Sequence, residues 1–184
     1  MCSSDLNKDK INVAHAGLGA VSHLCSMLLR QAIGVDLTTV PFGGTGPAMN
    51  ALLGSQVDLL CDQTTNTTQH IRAGAVRTYG VTTRSRLGTL PGVPTLDEQG
   101  IKGFDVAVWH GLYAPRGTPR PVLERLNAAL QAAVRDANFR ARLEELGAEP
   151  VAPARATPDS LRNHLKAEIE KWGPVIRKAG VYAD

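Results

Sequence analysis

The sequence has few aromatic residues and no strong excess of charge of either sign. Aromatic side chains make up 4% of its 184 residues, and the formal net charge is +3. Surfaces that bind single-stranded nucleic acid combine stacked aromatic rings with a basic groove. Lysine and arginine are here interspersed with aspartate and glutamate along the chain. We therefore expect no nucleic-acid partner.

Long apolar segments are also missing. No run approaches the roughly 20 residues that a transmembrane helix needs, so the protein is not expected to be embedded in a membrane. Residues 1–10 lack the apolar centre of a signal peptide, which leaves either a cytosolic protein or a sequence without its natural N-terminus. Residues 1–9 are polar and without periodicity, and we expect them to be a non-native or disordered leader.

Motifs for metal binding and for redox chemistry are absent. The three cysteines, Cys2, Cys25 and Cys61, form no CxxC pair, and the five histidines have no zinc-ligand spacing. Cys25 and Cys61 lie in apolar segments and are predicted to be unpaired, one inside a helix and one at a strand end. We expect no metal and no cofactor.

The most informative stretch is Ile11 to His23, which reads INVAHAGLGAVSH. It predicts a strand, then a small-residue turn at residues 16–20 (the glycine loop), then a helix that Ser22 opens. Glycine lets a ligand approach the backbone closely, and a helix N-terminus offers free N–H groups at the positive end of a dipole. The stretch predicts an anion site to which the Ser22 hydroxyl adds a donor, or alternatively a ligand-free turn capped by Ser22.

The same pattern follows twice more. Strands are predicted at Leu37–Val40 and Val57–Cys61. The first precedes the turn Phe42–Pro47 and a helix capped by Thr45, and the second precedes Asp62 and the polar run Gln63–Thr68. Repeated strand–helix units with short links indicate a parallel α/β sheet. All three turns then lie at its carboxyl edge, which predicts a shared binding crevice.

The remainder of the chain is predicted to be a fourth strand, a connector and a helical C-terminal part. The fourth strand is expected at residues 78–82 and a long strand at 106–112, separated by an irregular segment rich in proline and glycine. Three helices follow, and their apolar stripes are expected to be core. Two of these stripes are Val122, Leu126, Ala129, Leu130 and Val134, and Leu161, Leu165, Ile169, Trp172 and Ile176.

Five colinear stretches from about Ile11 to Gly180 carry a family resemblance. They are AGLGAVSHL, PFGGTGPAMNALLGSQVDLLCD, the run from IRAGAVRTYG to LYAPRGTP, and LGAEPV with KAEIEKWGPVIRKAG. The sequence resembles the solute-binding proteins of the tripartite tricarboxylate transporter family, the Bug proteins. The resemblance implies a periplasmic binding protein fold of type II and a periplasmic receptor. Such a receptor captures a small carboxylate between two lobes and delivers it to the transporter's membrane subunits, without catalysis.

The resemblance also divides the chain. Residues 10–103 match a nearly complete second lobe, and 104–184 match the C-terminal part of the first lobe. The signal peptide and the first-lobe carboxylate loop have no counterpart in this sequence, so weak ligand binding is expected. The family usually has threonine or serine where Ala20 and Val21 stand. The candidate ligand-binding residues are Gly17, Leu18, Gly19, Ala20, Val21, Ser22, Phe42, Gly43, Asp62, Gln63 and Thr64.

Other function classes are weaker. A nucleotide-binding enzyme lobe lacks the third glycine of its motif, since Ser22 stands there, and has no GK[ST] sequence. Ser22, His23 and Asp62 make a poor hydrolase triad, because neighbouring helical residues point about 100° apart. The effector domain of a transcription regulator shares the fold, but no helix-turn-helix segment is present. The ligand stays open: Asp62 suits an amino or hydroxylated acid, and Phe42 suits an aromatic one.

Overall fold

A computed structural model describes residues 10–178, which form two compact units. The first unit comprises residues 10–108 together with 176–178, and the second comprises Trp109–Val175. The chain therefore divides five residues beyond the predicted boundary at 103/104. The assignment of the units to two receptor lobes stays a prediction. The predicted leader, residues 1–9, lies outside the described residues.

The first unit contains a parallel sheet of three strands in the order β2–β1–β3. The strands are β1 (Asn12–His15), β2 (Thr38–Pro41) and β3 (Leu59–Leu60). Val13 pairs with Thr39 on one side and with Leu59 on the other. Each strand is followed by one helix: α1 (Val21–Ile33), α2 (Thr45–Leu53) and α3 (Thr64–Arg72).

Small side chains hold the helices close to this sheet. Ala14 of β1 is fully buried against Ala48 and Ala51 of α2, and Val57 completes the cluster. Phe42 is half-buried against the same cluster. Because alanine leaves little space between helix and strand, α2 and β1 approach closely, and this contact positions the turn that follows β2.

The predicted strand at residues 78–82 is wrong. Only Val81 pairs in a β-bridge, with Thr95. The Val81 N–H donates to the Pro94 carbonyl, and the Leu96 N–H donates to the Val81 carbonyl. Two residues earlier, the Tyr79 carbonyl accepts from the Gln99 side chain instead of from a neighbouring backbone. A ladder needs consecutive backbone pairs, and this segment has only one.

The predicted strand at residues 106–112 is also wrong, since this segment has no regular secondary structure. Val106 exchanges two hydrogen bonds with Thr82, through its N–H at 2.9 Å and its carbonyl at 2.7 Å. Residue 109 begins the second unit, where the contact is made by a side chain. Trp109 meets His164 edge to face, with ring centroids 4.7 Å apart. Val106 is buried, but Val108 and Leu112 are exposed, so the apolar composition of this segment does not correspond to a strand.

The second unit is helical. Its elements are α4 (Arg120–Ala133), α5 (Ala137–Glu145), a 3₁₀ turn (Pro153–Arg155) and α6 (Pro158–Lys178) up to Val175. The expectation that their apolar stripes are core holds at Val134, which is buried, but not along α4. Leu126 is 53% exposed, and no residue within α4 is buried. Within residues 10–178, no helix combines the length and the hydropathy that crossing a bilayer requires.

Candidate functional site

Three turns lie along one edge of the sheet. The glycine loop follows β1, residues 42–44 follow β2, and residues 61–63 follow β3. Since the strands are parallel, all three turns lie at the carboxyl edge, as the sequence predicts. The first two turns touch: the Phe42 N–H donates to the His15 carbonyl at 2.8 Å. A Cβ placed on Gly17 would lie 3.8 Å from the Phe42 carbonyl oxygen.

The glycine loop has a backbone that other residues adopt with strain. Gly17 has φ +108° and Gly19 has φ +73°. Both values lie in the left-handed region, where an L side chain meets the adjacent carbonyl oxygen. Glycine at these two positions is therefore required by the path of the backbone, independently of the space available for a side chain.

Part of the glycine loop is bonded to the protein itself. The Ala16 N–H donates to Ser22 Oγ at 2.9 Å, and the Gly19 N–H donates to His23 Nδ1 at 3.2 Å. The Ala20 N–H donates to the Gly17 carbonyl at 3.3 Å. Ser22 is only 1% exposed. Its hydroxyl is thus engaged with the loop, and a direct role for Ser22 toward a ligand stays a prediction.

Other N–H groups of this segment are not engaged. Within residues 10–178, the N–H groups of Gly17, Leu18 and Val21 have no hydrogen-bond acceptor. Leu18 is 72% exposed and Val21 is also exposed. The N–H groups of this segment therefore fall into an inner set, which is bonded within the loop, and an outer set (Gly17, Leu18 and Val21), which has no acceptor among the described residues.

All three helices begin at this edge without a side-chain cap. The N-cap residues are Ala20 for α1, Gly44 for α2 and Gln63 for α3, and none makes a side-chain capping hydrogen bond. The predicted capping of α2 by Thr45 is wrong, because Thr45 is already the first helical residue. Without a side-chain cap, the first turn of a helix has no side-chain acceptor from the N-cap residue for its N–H donors, and each helix N-terminus carries a partial positive charge of about half an elementary charge.

Asp62 lies at the end of β3, on the same edge as the glycine loop. Its Oδ1 accepts from the Gln63 N–H at 2.7 Å. Its Oδ2 is buried and has no hydrogen-bond partner among the described residues. Thr64 is the first residue of α3. The placement of Asp62, Gln63 and Thr64 beside the helix N-termini follows from the parallel pairing of β1 with β3.

A disulfide joins two elements of this edge. Cys25 of α1 is bonded to Cys61, which directly follows β3, and their Cα atoms are 6.0 Å apart. The prediction that both thiols are free is therefore wrong, although their positions in a helix and at a strand end are correct. The reason is topological: β3 lies beside β1, so the helix that follows β1 meets the end of β3. Cys61 precedes Asp62 and anchors it to α1.

Two histidines lie behind the glycine loop. His15 is 3% exposed and His23 is 7% exposed, and their ring centroids are 4.6 Å apart. His15 Nδ1 donates to the Gly17 carbonyl at 3.1 Å. Burial lowers the pKa of His23, and positive charge on His15 and Arg30 lowers that pKa further. Sequence reasoning missed this pair, because one histidine two residues before Gly17 and another four residues after Gly19 form no specific motif.

The hydrogen bonds of Ser22 and His23 bear on the hydrolase alternative. Ser22 Oγ accepts from Ala16, and His23 Nδ1 accepts from Gly19, so each side chain is bonded to the loop backbone. A nucleophilic serine needs a base as its hydrogen-bond partner, whereas Ser22 and His23 are each bonded to the loop backbone. This arrangement does not favour the hydrolase alternative. Within the described residues there is also no group of three histidine, cysteine, aspartate or glutamate side chains that could hold a metal ion.

The fold and this edge define a class of protein. A parallel α/β sheet with ligand-accessible helix N-termini at its carboxyl edge is the arrangement that binds anions in open α/β folds. A family model described as tripartite tricarboxylate transporter family receptor, TctC, matches residues 3–181. The chain belongs to this family of solute-binding receptors.

Individual relatives agree with this family. A UPF0065 protein from the ttuE–ttuC′ intergenic region of Agrobacterium vitis is 48% identical over 95% of this chain and 50% of its own length. The chain thus spans about half the length of this curated relative. Among solved structures, the periplasmic binding protein BugD is 51% identical with a TM-score of 0.90, covering 98% of this chain and 60% of BugD.

A third relative has a ligand. The structure of MatC from Rhodopseudomonas palustris with bound malate is 43% identical to this chain, with a TM-score of 0.87. The match covers 94% of this chain and 59% of MatC. Together these findings confirm the predicted family and the α/β fold of a periplasmic binding protein.

Proposed function

We propose that this chain provides a carboxylate-binding surface of a periplasmic receptor, which captures a small dicarboxylate and passes it to the membrane subunits of a tripartite transporter. The observation that carries the proposal is the convergence of three helix N-termini without side-chain caps at one edge of the sheet. The proposed contacts are the glycine loop with Val21 and Ser22, the Phe42–Gly43 turn and residues 62–64.

The charge of the ligand suits this edge. A carboxylate is stabilised at a helix N-terminus by about 0.3–1 kcal/mol, and by up to about 2 kcal/mol where the site is partly buried. The unengaged N–H groups of Gly17, Leu18 and Val21 supply donors to its oxygens. Backbone donors therefore replace the lysine or arginine that many anion sites use.

Asp62 adds a preference among carboxylates. Its buried Oδ2 has no protein donor among the described residues, and leaving a buried acceptor unpaired costs about 1–3 kcal/mol. A ligand hydroxyl or ammonium group that reached this oxygen would donate to it, whereas a plain diacid has no such donor. We therefore favour a hydroxylated or aminated acid, and the malate held by MatC is an acid of this kind.

The compartment follows from the same proposal. BugD is a periplasmic binding protein, and the Cys25–Cys61 disulfide suits an oxidising environment such as the periplasm. Reduced cytosolic conditions rarely preserve such a bond. We propose a periplasmic location for this chain on these two grounds.

The test is a titration of the ¹⁵N-labelled chain followed by NMR. Malate is compared with succinate, which lacks the hydroxyl, and with succinamide, which lacks both charges. We expect millimolar binding of malate, weaker binding of succinate and none of succinamide, with shifts at Gly17, Leu18 and Val21. Shifts confined to the second unit, or equal responses to succinamide, would contradict the proposal.

Two aspartate variants separate charge from hydrogen bonding. Asp62→Asn keeps an oxygen for the Gln63 N–H but loses the carboxylate, so the preference for malate over succinate should disappear. Asp58→Asn is the matched control. Asp58 accepts from the Asn12 N–H, at the start of β1 and so at the opposite edge of the sheet. This control should leave the preference intact.

A further inference from the structure

The two histidines behind the glycine loop bind it with opposite hydrogen-bond polarity. His15 Nδ1 contacts the Gly17 carbonyl, which only accepts, so His15 carries a proton on Nδ1. His23 Nδ1 contacts the Gly19 N–H, which only donates, so His23 Nδ1 must be free of a proton. Each neighbouring glycine is thus held by one imidazole.

His23 meets this requirement only while it is neutral. A second proton would occupy Nδ1 and place a donor against the Gly19 N–H. The charged and titratable groups that face His23 are His15 of β1 and Arg30 of α1, and Arg30 is paired with Asp36. Burial and this positive charge both lower the pKa of His23, which favours the neutral ring.

We propose that His23 is a positioning residue of the proposed ligand site: its neutral Nδ1 fixes the Gly19 peptide and thereby the direction of the outer N–H groups of the glycine loop. Protonation of His23 releases the loop. The inference rests on the proposed function for its effect on ligand binding, but the loop conformation is tested without any ligand.

The sign of the proton linkage distinguishes this role from a simple electrostatic one. If neutral His23 is the binding-competent form, bound malate must lower the His23 pKa, because linkage is reciprocal. A bound anion that acted only through its charge would raise the pKa instead. The direction of the shift therefore decides between the two.

The experiment uses the ¹⁵N-labelled chain between pH 8 and pH 5. Long-range ¹H–¹⁵N spectra report the tautomer of His23, and a coupling across the Gly19 N–H···N bond reports the contact itself. We expect an unprotonated Nδ1 at pH 7 and loss of the coupling as His23 takes up a proton. A protonated Nδ1 at pH 7 would overturn the proposal before any ligand is added.

Two substitutions separate positioning from packing. Asn Oδ1 can accept where Nδ1 does and does not titrate, so His23→Asn should keep the amide shifts of Gly17, Leu18 and Val21 and make them independent of pH. His23→Leu removes the acceptor and should change these shifts and weaken malate binding roughly tenfold. Equal behaviour of the Asn and Leu variants would overturn the proposal, and exposed His110→Asn is the control for loss of a histidine.

Failure of the proposed function gives a different result. If malate shifts no amide of the chain while the tautomer, the coupling and the Asn rescue are as expected, His23 positions the loop but the loop does not bind dicarboxylates. If malate binds and raises the His23 pKa, the ligand site stands and the positioning role falls.

Discussion

Cys25 and Cys61 are 36 residues apart in the sequence and are joined by a disulfide that connects α1 to the end of β3. Cys25 is buried within α1, the helix that the glycine loop opens. Asp62 follows Cys61 directly, so the disulfide lies close to two parts of the candidate site, the glycine loop and the Asp62 turn. The disulfide therefore holds the Asp62 turn against the helix that begins at the glycine loop.

Removing this disulfide should destabilise the first unit. For a closed loop of this length, chain entropy in the unfolded state predicts a loss of roughly 2–4 kcal/mol. The double variant Cys25→Ala/Cys61→Ala should show a lower urea midpoint by fluorescence or circular dichroism. Cys2→Ala, which keeps the pair, is the control. Two thiols titrating in the unreduced, denatured Cys2→Ala protein would contradict the bond itself.

Alanine at Gly17 or Gly19 should cost stability and ligand response together. A left-handed backbone costs about 1–2 kcal/mol for a residue with a Cβ, and both glycines have that backbone. Gly46→Ala is the matched control, because Gly46 lies in α2 with open space around it and without a positive φ. There alanine should stabilise by about 0.5–1 kcal/mol. Urea unfolding of the three variants checks these signs, and a stabilising Gly17→Ala would contradict the loop geometry.

Acid should weaken the first unit through Glu98. A hydrogen bond from Arg86 lowers the pKa of Glu98, and the Thr95 N–H bonded to the same carboxylate lowers that pKa further. The unfolded chain then takes up this proton first, so the stabilisation is complete above about pH 4.5 and is lost as the pH falls through the folded pKa. Glu98→Gln and Arg86→Gln should both flatten the dependence of the urea midpoint on pH below 4.5. An unchanged slope in both variants would contradict this ion pair's role.

The exposed apolar face of α4 should make the chain self-associate. Val122, Leu123 and Leu126 are all exposed on this helix. Burying such surface between copies gives about 25 cal/mol per Å². Sedimentation velocity should show a mass that rises with concentration, and Leu123→Ser/Leu126→Ser should reduce the effect. Val151→Ser, which removes an exposed valine outside α4, is the control. A wild-type chain that stays monomeric at millimolar concentration would contradict the prediction.

Local signals in the sequence were sufficient for much of the first unit. Helix α2 ends at the predicted residue, Leu53, before Gly54, whereas it begins one residue earlier than predicted because Gly44 and not Thr45 is its N-cap. The three strand–turn–helix units follow from the same kind of signal. Since parallel strands end at one edge, the order of elements alone also predicted that Gly17 and Asp62 lie at the same edge of the sheet.

Contacts between distant residues could only be decided by the tertiary structure. The strand order β2–β1–β3 brings Cys61 to α1, and no local pattern records which strand neighbours β1. Likewise, residues 78–82 contain the β-favouring residues Tyr79 and Val81, but only Val81 forms a β-bridge. Within the glycine loop, composition identifies the donors, whereas the buried His23 ring determines that the Gly19 N–H points inward. Periodicity reports which residues prefer burial, whereas the partners of the Cys25 thiol and of the Val81 N–H lie in other segments of the chain.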